Sequence, residues 1–160
     1  MSAKNKKKKE ERFSKIINIK NRQARYEYSF VDTFVAGMSL FGTEIKSIRE
    51  AKVNISDAFC VIHKGEVFVR NLHISPFSEG THANHEPMRE RKLLLNKKEI
   101  RKLESKMDEK GLTVVPTRLF INNKGLAKLE IALAKGKKLH DKRNDIKERD
   151  VKRDLARMKY

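Results

Sequence analysis

The chain has 160 residues, 38 of them Lys or Arg against 21 Asp or Glu, for a formal charge of +17. That length suits one small domain with extensions, and so large a positive excess points to an anionic partner rather than to solubility alone. A membrane partner is disfavoured, because no apolar run approaches a spanning helix and neither basic end has the wide apolar face of an interfacial one.

The first 25 residues carry ten basic and two acidic side chains, net +8, and residues 1–20 read as a flexible basic arm without fixed structure until about Asn21. Ile16, Ile17 and Ile19 are too few to make a signal-peptide core. The run Tyr26-Glu27-Tyr28-Ser29-Phe30-Val31 predicts a strand, resumed by Phe34-Val35-Ala36 before Gly37. Ile45 and Ile48 then fall on one face of a short helix over residues 42–51, with Thr43 as its candidate cap. Lys46 stands three residues beyond Thr43, so the Glu or Gln of a capping box is missing there.

The clearest β signal follows. Ala58-Phe59-Cys60-Val61-Ile62 and Val67-Phe68-Val69 flank His63-Lys64-Gly65-Glu66, a hairpin with Gly at its turn. Cys60, the one cysteine, cannot form an internal disulfide, which fits a reducing cytosol. Its apolar neighbours mark it as a small buried hydrophobe rather than a nucleophile. Residues 75–90 form a polar loop with two of the three prolines. Asn96 opens a helix with Glu99 three residues on, Ile100, Leu103 and Met107 share its face, and Gly111 closes it. Strands over 112–115, 117–121 and 126–133 surround a turn at Asn122-Asn123-Lys124-Gly125. Antiparallel strands with a helix before the last hairpin predict a mainly β, α+β body over residues 21–134, a small closed sheet or barrel.

Residues 135–160 hold eleven Lys or Arg against five Asp or Glu, net +6. Leu139, Ile146, Val151, Leu155, Ala156, Met158 and Tyr160 give only a thin apolar stripe. Such a tail buries too little to offset the entropy of ordering its backbone, yet helix formers predominate in it. It is expected to stay loose alone and to become helical on a polyanion, which points to RNA.

Five blocks resemble the SmpB, or SsrA-binding, protein family. They are Asn21-Arg22-Gln23-Ala24-Arg25-Tyr26-Glu27-Tyr28, Gly42-Thr43-Glu44-Ile45-Lys46-Ser47-Ile48-Arg49, Asn54-Ile55-Ser56-Asp57, Arg91-Lys92-Leu93-Leu94-Leu95-Asn96, and Ala134 through Arg143 with Asp145 to Arg149. The resemblance runs from about residue 20 to 158, in order and with matching gaps. It implies an OB-like β-barrel with flanking helices that binds transfer-messenger RNA and rescues stalled bacterial ribosomes in the cytoplasm. The body would grip the tRNA-like domain and replace the missing anticodon arm. The tail would enter the decoding site and empty message channel among small-subunit ribosomal RNA, with elongation factor Tu joined through the shared RNA. No cofactor, metal or catalytic step is implied.

Each block also has a physical reading. Arg22 and Arg25 offer guanidinium forks to phosphates, and Asn21 and Gln23 can reach sugars or base edges. Tyr26 or Tyr28 can stack on an exposed base; Tyr28 fits sheet packing better, and Tyr26 fits either role equally. Lys46, Arg49 and Lys52 can share a basic face, while Glu44 either holds a basic side chain or accepts from a base. Asn54 and Asp57 suit a turn. Leu94 and Asn96 match family positions associated with RNA contact, and Asn96 also fits a helix cap. In the tail, Lys135, Gly136, Lys137 and Lys138 form a basic cluster, and His140 can stack or donate. Lys142, Arg143, Lys147 and Arg149 supply phosphate contacts, while Asp141 and Asp145 place early-turn charge where the helix dipole favours it. Two positions depart from the family: Val35 stands where an acidic residue is common, and Val151 where Trp is common.

Other classes have weaker support. His82 and His85 lack the partners of a zinc site, no phosphate loop is present, and a nuclease built on Glu44, Asp57 and His73 has nothing to raise it above chance. A basic ribosomal or assembly protein is the main rival.

Overall fold

Alternation of side chains along the chain's last strand sets the architecture. In β9 (Ala127–Gly136), Ala127, Leu129, Ile131 and Leu133 are buried on one face, whereas Lys128 and Glu130 on the other are partly exposed and Ala132, further along that face, is buried. The computed structural model describes residues 16–109 and 111–158. Ahead of β9 come β1 (Asn18–Lys20), α1 (Arg22–Glu27), β2 (Tyr28–Met38), α2 (Gly42–Arg49), β3 (Val53–Asn54), β4 (Phe59–His63), β5 (Glu66–Arg70) and β6 (His73–Ile74). Then follow β7 (Arg91–Leu94), α3 (Lys97–Met107) and β8 (Leu112–Ile121), and α4 (Leu139–Arg157) comes after β9.

The antiparallel pairings close on themselves. β9 pairs with β2 and with β8; β8 continues to β4, then β5, β7 and back to β2. A ring of antiparallel pairings leaves few strand edges exposed and is the arrangement of an OB-like barrel. β1 adds to β8 with Asn18 opposite Phe120, and β3 pairs with β6 outside the ring. One apolar cluster fills the interior, with Ala36, Val69, Leu119, Leu129 and Ile131 at 0% exposure. Ile48 of α2 and Leu103 of α3 join the same cluster, which fixes both helices to the barrel. Pro116 in β8 is accommodated at a register shift between Pro116 and Arg118, because it has no N–H to donate.

Local turn chemistry behaves as the residues dictate. Lys64 and Gly65 both have positive φ, 50° and 72°, so the β4–β5 hairpin turns as the two-residue type that matches strand twist. At α3, the Asn96 amide donates to Glu99 Oε2 at 3.0 Å.

Four expectations are corrected. The basic arm does not lack structure up to Asn21: Ile17 is buried and β1 starts at Asn18, while residues 1–15 lie outside the described ones. Tyr26 and Glu27 belong to α1, and the strand begins at Tyr28. Thr43 is not the cap of α2; Phe41 holds that place, and its amide donates to Glu44 Oε2 at 2.8 Å. Lys135 and Gly136 are the end of β9, paired with Leu112 and Tyr28, rather than the start of the tail.

Candidate nucleic-acid interface

Two basic segments distant in sequence meet at α1 and α4. Arg22 and Arg25 are exposed on α1, and Tyr26 presents its ring to Lys142 Nζ at 5.6 Å and Arg149 Cζ at 5.9 Å. Between the helices runs an open groove of about 300 Å³, lined by Arg22, Arg25, Tyr26, Asp145, Glu148, Arg149 and Lys152. Lys137 ties the junction: its amide donates to the Glu27 carbonyl at 2.9 Å, and its Nζ donates to the Arg25 carbonyl at 3.1 Å and pairs with Asp145. Such a surface offers guanidinium forks for phosphates and one ring for stacking. Tyr28 packs instead against Ala24, Val115 and Ala134.

Along α4 no side chain is buried. Lys138, His140, Arg143 and Lys147 are exposed, and His140 Nδ1 lies 3.0 Å from the Asp141 carboxylate. Asp141 sits in the first turn of α4, where the dipole favours an anion. Val151 is 57% exposed, a modest apolar contact at most.

Asn21 is not available to RNA. At 1% exposure, its Nδ2 donates to the Ile55 carbonyl at 3.1 Å and the Pro116 carbonyl at 2.9 Å, and its Oδ1 accepts from the Ala24 amide at 3.0 Å. It caps α1 and fastens that helix to β8, so it positions Arg22 and Arg25 rather than touching a ligand. Gln23 is exposed but donates to Glu27 Oε1 at 3.2 Å.

Glu44 is likewise beyond the reach of any base. Its carboxylate is fully buried and receives Arg89 Nη2 at 2.6 Å, Arg89 Nε at 3.1 Å, Arg91 Nε at 2.7 Å and the Phe41 amide. Burial pushes the Glu44 carboxyl up, but the Arg89 bond, the Phe41 amide and Arg91 outweigh it and hold the group below the usual carboxylate range. Arg91, also fully buried, donates onward to the carbonyls of Leu72 at 2.6 Å, Arg89 at 3.0 Å and Pro87 at 3.1 Å. His85 completes the network between Thr43 Oγ1 and the Ile74 carbonyl, each at 2.9 Å. Together these bonds lock the polar loop of residues 75–90 against α2. Sequence reasoning passes over Arg89 and Arg91; two arginines spaced by two at the entry to a strand share one face, and that was the available signal.

On α2 itself, Lys46 and Arg49 are exposed, as is Lys52 just beyond it. Lys46 Nζ lies 5.3 Å from the Phe77 ring centroid, and Lys52 pairs with Glu50 at 3.1 Å. Leu94 is 54% exposed and stands opposite Gly37, where an added Cβ would come within 3.3 Å of Leu94 Cβ. Asn96 is exposed as well, so capping leaves it accessible. Val35 is 49% exposed on β2 opposite Glu130. Cys60 is buried, and burial pushes its thiol well above the ordinary range, which removes it as a nucleophile. Among the described residues no group of three or more His, Cys, Asp or Glu is arranged to hold a metal, and no helix is long and apolar enough to cross a membrane.

Comparison with known proteins gives one consistent answer. The family model described as SmpB protein matches residues 18–160. An SsrA-binding protein of Christiangramia forsetii is 56% identical over 142 residues, covering 89% of this chain and 90% of that one. Those of Bacteroides thetaiotaomicron and Zymomonas mobilis are 56% and 52% identical, and 95% and 90% of their lengths are covered by 89% and 91% of this chain. Among solved structures, a chain described under "tmRNA-SmpB: a journey to the center of the bacterial ribosome" superposes with a TM-score of 0.66 at 44% identity. The match covers 77% of this chain and 86% of that one.

Proposed function

Because the chain belongs to the SmpB family, we propose that it binds the tRNA-like domain of transfer-messenger RNA and delivers that RNA to stalled ribosomes. In this reading the barrel stands in for the missing anticodon arm. The tail probes the decoding site and empty message channel, and elongation factor Tu joins through the shared RNA. The protein works in the cytoplasm as an adaptor by shape and charge, making and breaking no covalent bonds.

The observation that carries the reading is the meeting of Arg22, Arg25 and Tyr26 with Arg149 and Lys152 across one open groove, with Lys137 bonded to the Arg25 carbonyl and Lys142 over the Tyr26 ring beside it. A body that grips one RNA and a tail that follows another need such a junction, since it sets the two basic surfaces side by side. Arg22, Arg25, Lys46, Arg49 and Lys52 are assigned to phosphates, Leu94 and Asn96 to sugar and base edges. Lys138, His140, Lys142, Arg143, Lys147 and Arg149 are assigned to the ribosome, with Lys135 and Lys137 at the hinge. Gly136 closes β9 and Asp141 sits in the first turn of α4, so neither carries positive charge to RNA.

Truncation tests this division. A chain ending at Gly136 keeps β9 whole, so it retains affinity for a tRNA-like fragment, measured by fluorescence anisotropy, while transfer-messenger RNA tagging in a reconstituted stalled-ribosome system is lost. Full rescue without α4, or loss of fragment binding with the fold intact, refutes the assignment.

A further inference from the structure

We propose that Phe41 and Arg89 form a stacking platform for one unpaired nucleobase of the RNA partner. The proposal rests on the RNA-binding reading above. Phe41 stands at the junction of β2 and α2 and is 58% exposed, a large aromatic surface left open to solvent. The Arg89 guanidinium carbon lies 4.2 Å from its ring centroid, close enough to cover one face by cation–π contact. With 58% of the residue open to solvent, the ring keeps exposed surface on which a planar partner can stack.

Several bonds make this a built site rather than a chance contact. Arg89 is held by both oxygens of buried Glu44, and its Nη2 also donates to the Ser39 carbonyl at 3.3 Å. The same Glu44 carboxylate accepts from the Phe41 amide, so one buried group fixes both the ring's backbone and the cation behind the ring. Arg91, bonded to Glu44 and to three backbone carbonyls at 3.1 Å or less, anchors the carboxylate in turn. A rigid ring needs little ordering on binding, which is the condition for a stacking contact to contribute its full strength.

The surroundings select a nucleobase over an apolar protein surface. Phe41 is followed by Gly42 and Thr43, and the exposed cations Lys46 and Arg49 lie on the helix it begins. An aromatic face beside phosphate-seeking cations is the combination that single-stranded or looped RNA meets. The arrangement also gives Glu44 a purpose that its burial otherwise denies. It is a positioning residue, acting on RNA through Phe41 and Arg89.

The chain contains no tryptophan, so Phe41→Trp installs a lone indole at the platform. Stacking on a base quenches that indole as a tRNA-like fragment is titrated in. Phe41→Ala lowers affinity about 5- to 150-fold, the loss expected of one base–aromatic stack. Its dependence on salt stays parallel to the parent's, because no phosphate contact is removed. Phe41→Ala binding at parental affinity, or an unquenched indole with RNA bound, overturns the platform alone. Failure of the unaltered chain to bind the fragment overturns both the platform and the RNA-binding reading.

Discussion

At Glu44, burial and charge oppose one another. Desolvation disfavours the carboxylate, yet the two guanidiniums and the Phe41 amide keep it ionised and its pKa depressed. Glu44→Gln removes the charge while leaving Arg91 fully buried, so urea unfolding at neutral pH should show a loss of about 3–5 kcal/mol. The pH dependence has a definite sign. A group whose folded pKa lies below its ordinary 4.5 stabilises fully above that value and loses the contribution as pH falls through the folded pKa. The gap between parent and variant should therefore be constant at neutral pH and shrink below about 4.5 as the parent's carboxylate protonates. A gap independent of pH down to the acid limit would mean that the pair does not carry the effect. Asn21 teaches the same lesson at this scale. Residue type and block membership identified both positions as important, but the sequence does not state burial. A polar residue fastened at 1% exposure reads the same in sequence as one facing an RNA.

Among elements, those set by local chemistry were legible and those set by distant partners were not. The β4–β5 hairpin and α3 follow from a turn glycine and from the Asn96–Glu99 pair, each within a few residues of its cause. β1 and α1 depend on β8, about a hundred residues away, through the Asn18–Phe120 pairing and the Asn21–Pro116 bond. α4 is the opposite case, a helix with almost nothing to pack on. Its nineteen residues include none that is buried, and its ties to the body gather at Lys137, Tyr26 and Asp145. Its helical state thus rests on local propensity and pairs such as Asp150–Arg153 at 2.7 Å. Hydrogen exchange of the free protein should show α4 amides opening at near-zero free energy while β9 amides approach the global value, with α4 slowed only on the ribosome. Protection of α4 equal to that of β9 in the free chain would contradict a tail that waits for RNA to order it.

For the whole molecule, the distribution of charge matters more than its total. Residues 1–25 carry net +8 and residues 135–160 net +6, leaving net +3 over residues 26–134. The fold brings parts of both basic ends together, with Arg22 and Arg25 facing Arg149 and Lys152 across a groove that only Asp145 and Glu148 partly neutralise. Like charges held there repel, and an RNA backbone entering the groove replaces that repulsion with attraction while releasing its own counterions. Binding to a tRNA-like fragment should therefore weaken linearly in log affinity against log salt, by about 0.7–0.9 log unit per tenfold salt for each phosphate neutralised. Changing Arg22 and Arg25 together to alanine should reduce that slope by about 1.4–1.8, one increment per lost phosphate contact. Anisotropy titrations between about 50 and 200 mM salt measure it directly. If the double variant lost affinity but kept the parental slope, the arginines would be supporting the shape of α1 rather than meeting phosphates. A slope reduced by the full two increments would place the RNA backbone at the mouth of the groove, where body and tail meet.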